Sequence, residues 1–381
     1  MGCFRKGTPA SRSSFVTGQM KYIYMAGPLG PMGGGMLRVV DYLMQAQSGF
    51  DCYQGAQMVK LDTRGTGSAA GSFVMLGKAM GTILKSKLNG SLAGLHVNMA
   101  ERLSVFRKGI LLLFARMLGV PAVLHLHAAQ MESYYRSLSA PAKLFTRTVF
   151  HLTTHNIVLG DNARRFLIDV IGIRPDKVSV VINGVPGPAT LVERPHDRAR
   201  KRVLFLGNLW DRKGLADLLH ALTDARFDPA TVEVLVVGGG DVEKFQRLSD
   251  SLGLEKLVSF LGWVDQTKAT DILKTADVLI LPSYDEGLPL VILEALAHGI
   301  PTICTPVGEI PTVLQSRIDT LFVNPGDVKA IADALIDALN DEELSRLLGL
   351  NGRKAYESRF SLATFSSSVA AIHDKYFKLS N

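Results

Sequence analysis

The sequence predicts an α/β protein of two Rossmann-like, doubly wound domains facing a central cleft. Three observations carry this expectation. Short runs that are apolar throughout recur along the 381 residues and suit strands of a parallel sheet covered on both faces. Longer helical patterns separate them, the strand–helix alternation of doubly wound folds. A Pro- and Gly-rich stretch near 185–196 then breaks the runs into two series.

In the first series the strand runs are 22–26, 58–61, 95–98, 122–127, 156–160 and 178–182. In the second they are 203–206, 232–237, 258–261, 278–281, 302–305 and 321–323. Pro186, Gly187, Pro188 and Pro195 mark a linker over 186–200. The domains are therefore expected at 20–185 and 201–360, behind a flexible tail at 1–19. The last segment, 361–381, places Phe365, Val369, Ile372 and Tyr376 at helical spacing and reads as an amphipathic helix crossing back to the first domain.

Composition narrows the class further. With 47% hydrophobic and 20% charged residues the chain is not a disordered one. Cys3, Cys52 and Cys304 are few and scattered, which suits reduced cytoplasmic thiols and no disulfide framework. The tail has no apolar core of a secretory signal. Arg116, Gly119 and Pro121 interrupt the most apolar stretch, 109–126, so it reads as a helix running into a strand and not a membrane span. Residues 1–190 carry 21 Lys and Arg against 8 Asp and Glu, a net of +13, whereas the remainder is at −6. Such asymmetry points to a polyanionic ligand or surface meeting the first half. No zinc-finger spacing or aromatic RNA-binding signature accompanies it, so nucleic acid is not the expected partner.

The most informative segment is Leu281-Pro-Ser-Tyr-Asp-Glu-Gly-Leu-Pro-Leu-Val-Ile-Leu-Glu-Ala-Leu-Ala-His-Gly299. A strand ends, a polar turn follows, and a helix is expected from Leu288 or Pro289. Amides of Gly287, Leu288 and Leu290 at the helix start make an anion site suited to a diphosphate. Glu286 and Glu294 stand eight residues apart, ~12 Å along a helix. The apolar neighbours of Glu294 demand a partner for its carboxylate. Lys213, in Val203-Leu-Phe-Leu-Gly-Asn-Leu-Trp-Asp-Arg-Lys-Gly214, follows a strand and glycine turn and can reach phosphate oxygens. Gly30-Pro-Met-Gly-Gly-Gly35 gives close backbone approach before a helix at 36–45. His125 and His127 share one strand face, with no third ligand at metal spacing.

The Ser-x-x-Glu-Gly-Leu-Pro…Leu-Glu-Ala pattern resembles the E-x7-E signature of retaining GT-B glycosyltransferases, in particular family 4. The resemblance implies that Glu286 lies near the donor sugar and Glu294 binds the ribose of a nucleotide sugar. The segment at 207–214 is similar to the family's Gly-Arg-Leu-x-x-x-Lys-Gly motif. That gives Lys213 the donor diphosphate and puts Asn208 where the family has Arg; either Arg212 substitutes, or Lys213 and the helix amides suffice. By the same resemblance Gly34 and Gly35 face the donor phosphates, and His127 contacts the donor sugar. Gly238 lies below the nucleotide and Val264 meets the base, while Thr312 stands where the family usually has Glu.

The implied activity is retaining transfer of a hexosyl group from a nucleotide diphosphate sugar, with UDP-sugars favoured over GDP-mannose. The acceptor is expected to be a saccharide, lipid-diphosphate-linked, in exopolysaccharide or cell-envelope synthesis. The resemblance also implies work at the inner face of the plasma membrane, on an anionic surface. No Asp-x-Asp pair is present, so no metal or other cofactor is expected. The rivals are another GT-B enzyme, a phosphorylase or a nucleotide-sugar epimerase, and a non-catalytic nucleotide-sugar-binding protein.

Overall fold

The computed structural model describes residues 19–29, 34–65, 69–191 and 199–380. Nearly all of the expected tail, the loop 30–33 and linker residues 192–198 lie outside them. The chain divides into two compact units. One is Met1–Gly184 with Leu362–Asn381, and the other is Val185–Ser361.

The first unit holds six parallel strands: β1 (Lys21–Gly27), β2 (Ala56–Asp62), β3 (Leu92–Met99), β4 (Ala122–Leu126), β5 (His155–Val158) and β6 (Val178–Val180). They are ordered β2-β1-β3-β4-β5-β6. The second holds β7 (Lys201–Leu206), β8 (Val232–Val237), β9 (Val258–Gly262), β10 (Val278–Leu281), β11 (Thr302–Cys304) and β12 (Leu321–Phe322). Their order is β12-β11-β10-β7-β8-β9, all parallel. The chain thus reverses direction across the sheet between β7 and β10, and between β1 and β3 in the first unit. Ligands of open α/β sheets bind at such switch points, beyond the carboxyl ends of the strands. The central strands are buried on both faces, as their uninterrupted apolar runs require: Leu95 and Val97 in β3, Leu124 in β4, and Leu279 and Ile280 in β10 are wholly covered.

The terminal helix Leu362–Phe377 packs on the first unit, but on a face turned from the one its apolar spacing suggests. Phe365, Val369, Ala370, His373 and Phe377 are buried, whereas Ile372 and Tyr376 are only half-buried. The reason is His373. Its Nδ1 lies 2.8 Å from the Tyr53 hydroxyl and its Nε2 2.7 Å from Nδ1 of His96. His96 Nε2 in turn meets Nδ1 of His125 at 3.2 Å, and the His125 ring packs 4.0 Å from that of His127. A hydrogen-bonded row of buried imidazoles therefore fastens the terminal helix to β3 and β4. Burial keeps the row neutral, holding His127 and His373 down to about 3 and His96 and His125 well below the usual histidine range.

Acid should therefore unfold the first unit early. These histidines are neutral in the fold but titrate near 6.5 when exposed. Their contribution is complete above about pH 6.5 and is lost as pH falls towards about 3. Thermal melts should show Tm dropping steadily below about pH 6.5, with a shallower drop in His373→Phe.

Candidate functional site

Strands β7 and β10 lie side by side, Val203 opposite Val278, so their carboxyl ends deliver two loops to one place. After β7 the chain makes a single turn, Asp211–Lys213, and then passes through Gly214 in the left-handed region at φ 69°. A Cβ at Gly214 would lie 2.0 Å from the Pro282 carbonyl oxygen. Only glycine lets this turn press against the end of β10. The contact is completed by the Tyr284 amide, which donates to the Arg212 carbonyl at 2.8 Å.

This packing brings Lys213 onto Glu286. The Lys213 ammonium donates to Glu286 Oε1, and the buried Ser283 hydroxyl donates to the same oxygen at 2.9 Å. The two charged side chains are only 12% and 8% exposed. A carboxylate taken out of water at this depth needs such partners. Arg212 is exposed: its guanidinium lies over the Trp210 ring, donates to the Asp285 carbonyl at 2.9 Å and stands 3.9 Å from Glu286 Oε2. Asn208, at the position of the family Arg, is exposed and does not join the ion pair.

The helix that follows is Leu290–Ala297, later than the expected start at Leu288 or Pro289. Pro289 is extended at its head (φ −71°, ψ 127°), and a residue before proline is steered away from helical geometry, which excludes Leu288. Glu286 consequently sits in the preceding loop, so the ~12 Å expected from helical rise does not measure its separation from Glu294. Every residue of the helix is buried, Glu294 included at 7% exposure. Leu288 is buried and Gly287 half-buried; the Gly287 carbonyl accepts the Glu309 amide at 3.0 Å. Thr312 places its hydroxyl 3.2 Å from Glu309 Oε2.

The neighbouring strand ends complete the floor. Gly238, after β8, has φ 152°, and a Cβ there would fall 1.8 Å from the Gly207 carbonyl. Its amide donates to the Gly262 carbonyl at 2.9 Å, and Val264 lies half-buried just beyond. The structure thus gathers Asn208, Arg212, Lys213, Gly238, Val264, Glu286, Gly287 and Leu288 on loops at the carboxyl edge of β7–β10, with Glu294 on the helix behind them.

Gly34, Gly35 and His127 belong to the first unit. The two glycines open the helix Gly34–Ala46, where the sequence put them in the loop before it, and both are exposed. Gly34, at the head of the helix, has φ 56°, a left-handed conformation that glycine adopts without strain. His127 follows β4, its amide donating to the Met99 carbonyl at 2.8 Å and its Nε2 lying 2.9 Å from Asn98 Oδ1. Sequence reading missed Ser283 and Asn98 as site residues. Ser283 was visible inside the motif; Asn98 was signalled only by a polar residue closing an apolar run. Among the described residues no group of three or more His, Cys, Asp or Glu is placed to hold a metal.

Two doubly wound units, with a cation–carboxylate site at the switch point of the second, define the GT-B class of fold. Residues 200–341 match the family described as glycosyl transferases group 1. It is 29% identical to the UDP-Gal:alpha-D-GlcNAc-diphosphoundecaprenol alpha-1,3-galactosyltransferase of Escherichia coli, over 70% of this chain and 71% of that protein. It is 27% identical to D-inositol 3-phosphate glycosyltransferase of Corynebacterium efficiens, over 66% of this chain and 64% of the relative. Its fold matches sucrose-phosphate synthase of Thermosynechococcus elongatus with a TM-score of 0.77 at 19% identity, covering 94% and 100% of the two chains. HepE of Anabaena, solved with UDP, matches at a TM-score of 0.73 and 16% identity, over 93% and 100%.

Replacing Gly214 tests the scaffold. Gly214→Ala should cost the second unit at least ~1–3 kcal/mol from the left-handed backbone alone. Urea titration should show a lower midpoint at unchanged slope, and a midpoint equal to that of the parent would refute the enforced contact.

Proposed function

We propose that this chain is a retaining glycosyltransferase that moves a hexosyl group from a nucleotide diphosphate sugar to a saccharide carried on a lipid diphosphate, in exopolysaccharide or cell-envelope glycan synthesis. The observation that carries the reading is the Lys213–Glu286 pair at the β7–β10 switch point, backed by Arg212 and Ser283. The name of the Escherichia coli relative, which joins UDP-galactose to a diphosphoundecaprenol acceptor, supports a UDP-sugar donor and this acceptor class.

In this reading an acceptor hydroxyl forms its bond to the anomeric carbon on the face from which the diphosphate departs. The carbon–diphosphate bond breaks, and the hydroxyl proton passes to a departing phosphate oxygen. Lys213, Arg212 and the amides of Gly287 and Leu288 stabilise the charge that develops on the diphosphate, without a metal. Glu286 and His127 hold the sugar, Glu294 the ribose, Val264 and Gly238 the base side, and Gly34 and Gly35 face the phosphates.

The first unit supports docking on the anionic inner face of the plasma membrane. No helix among the described residues is long and apolar enough to cross a membrane. The helix Leu103–Met117, however, exposes Leu103, Phe106, Ile110, Leu113 and Met117, one continuous stripe by helical spacing. Exposed Leu144 stands on the helix Ala140–His151, whose Phe145 stacks on Phe106. Arg102, Arg116, Lys143 and Arg147 lie on or beside the same two helices, and basic residues near an anionic bilayer each contribute ~1 kcal/mol.

Transfer from labelled nucleotide sugars to a bacterial lipid extract tests the activity; binding of the sugar nucleotide with no labelled lipid product would refute it. The same assay should survive EDTA. By calorimetry Glu294→Ala should weaken binding of free UDP, whereas Glu286→Ala should chiefly lower turnover; equal losses of affinity would reverse the assignment.

Vesicle sedimentation tests the docking face. The chain should pellet with anionic vesicles at low salt and be released at high salt. A Leu103→Ser, Leu113→Ser, Met117→Ser variant should stay in solution with its fold intact. Sedimentation with neutral vesicles, or indifference to the substitutions, would rule the surface out.

A further inference from the structure

Asn98 is a wholly buried amide near the carboxyl end of β3, flanked in sequence by the buried residues Val97 and Met99. A polar group in such a place is costly unless each of its atoms is used. Its Nδ2 donates to the Ala26 carbonyl at 3.5 Å, and its Oδ1 lies 2.9 Å from His127 Nε2. The reverse orientation would set the amide oxygen against the Ala26 carbonyl oxygen, acceptor against acceptor. The amide orientation is therefore settled by a main-chain group that can only accept.

The consequence runs to His127. An amide oxygen accepts only, so the proton shared at 2.9 Å sits on Nε2 of the imidazole. The ring is neutral, which leaves Nδ1 with a lone pair. Among the described residues Nδ1 has no hydrogen-bond partner, it is not one of the buried polar atoms left unsatisfied, and the residue as a whole is half-buried. The groups around the ring preserve this state. His125 from β4 packs on it, and His96 from β3 and His373 from the terminal helix stand behind His125; all three are neutral. No carboxylate hydrogen-bonds to the ring among the described residues.

We infer that Asn98 is a positioning residue that fixes His127 as its Nε2–H tautomer, so that Nδ1 accepts a hydrogen bond from a hydroxyl of the donor sugar. The inference rests on the placement of His127 towards the donor proposed above. It adds a direction: the sugar hydroxyl donates and the imidazole accepts. A sugar lacking that hydroxyl would leave a lone pair unanswered, which makes the contact a source of donor selectivity.

Two-bond proton–nitrogen NMR spectra of the full chain read the tautomer directly. The parent protein should show His127 Nδ1 with a pyridine-like shift and Nε2 with a pyrrole-like one, unchanged from about pH 8 to about pH 6, in keeping with a ring held neutral down to about 3. UDP-glucose or UDP-galactose, whichever is turned over, should move the Nδ1 resonance, and UDP alone should not. Asn98→Leu should mix the tautomers and lower kcat/KM for the donor about tenfold, the worth of one hydrogen bond, with the acceptor KM unchanged. Asn98→Asp should keep the Nε2–H bond yet favour a protonated ring. Its kcat/KM should fall with falling pH and recover towards the parent value at high pH, whereas the parent stays flat.

A parent Nδ1–H tautomer, or an Asn98→Leu protein that retains pure Nε2–H, would overturn the role of Asn98. The expected tautomers with an Nδ1 resonance untouched by the sugar nucleotide would overturn the hydroxyl contact. Because the tautomer is read without turnover, failure of the transferase reading would appear separately, as absent product from a chain whose spectra are as expected.

Discussion

A parallel sheet covered on both faces leaves chemistry one location, the loops beyond its carboxyl ends, and everything distinctive about this protein follows from that constraint. Core strands such as β3 and β10 are so apolar that a charge placed along them would be unpaired. Where the strand order reverses, adjacent loops diverge and a concavity opens. In the second unit, β7 and β10 send Lys213 and Glu286 into it. The glycine at 214 decides how closely their loops approach, because any side chain there would strike the Pro282 carbonyl.

The two units meet the cost of polar groups near a core in different ways. The first uses neutral groups: His125, His96 and His373 are joined by hydrogen bonds, Asn98 is bonded to His127, the His125 and His127 rings pack together, and burial keeps the imidazoles uncharged. The second uses charge pairing, with one carboxylate oxygen of Glu286 taking both an ammonium and a hydroxyl donor. A neutral row is indifferent to salt and sensitive to acid. An ion pair at a strand end is poised to exchange partners, since each charge stays attractive to a new ligand.

The fold was legible because parallel strands between helices have no choice but to be continuously apolar, and each expected run overlaps an observed strand. The segments carrying the carboxylates and Lys213 were legible for another reason: each motif is local to its own strand–loop–helix passage, after β10 for Glu286 and Glu294 and after β7 for Lys213. What could not be read was anything joined across the sheet. His96 and His373 are 277 residues apart in sequence and 2.7 Å apart in space. Periodicity alone therefore turned the terminal helix towards Ile372 and Tyr376, since it counts histidine as polar. The helix Leu103–Met117 inverts its pattern for a similar reason. Val105, Leu111, Leu112 and Ala115 claim the core and take Lys108 inside, where the ammonium is held by Thr63 and pushed down to about 7 by burial and then by Arg107. Five other apolar residues are left outside.

The partner exchange open to the second unit has a definite direction under the proposed chemistry. In the structure Lys213 is paired with Glu286, and Ser283 donates to the same oxygen. A diphosphate arriving at the switch point offers Lys213 a denser negative charge than a single carboxylate does. As the ammonium turns to it, Glu286 keeps the Ser283 bond and gains a free lone pair at the place where a sugar attached to that diphosphate must lie. Hydroxyls of the sugar are the donors then available to satisfy it. Binding of the charged part of the ligand would thereby prepare the carboxylate for the uncharged part, and a phosphate without a sugar would leave Glu286 short of a donor. Under the proposed chemistry, discrimination between a nucleotide sugar and its free nucleotide would rest on this single ion pair.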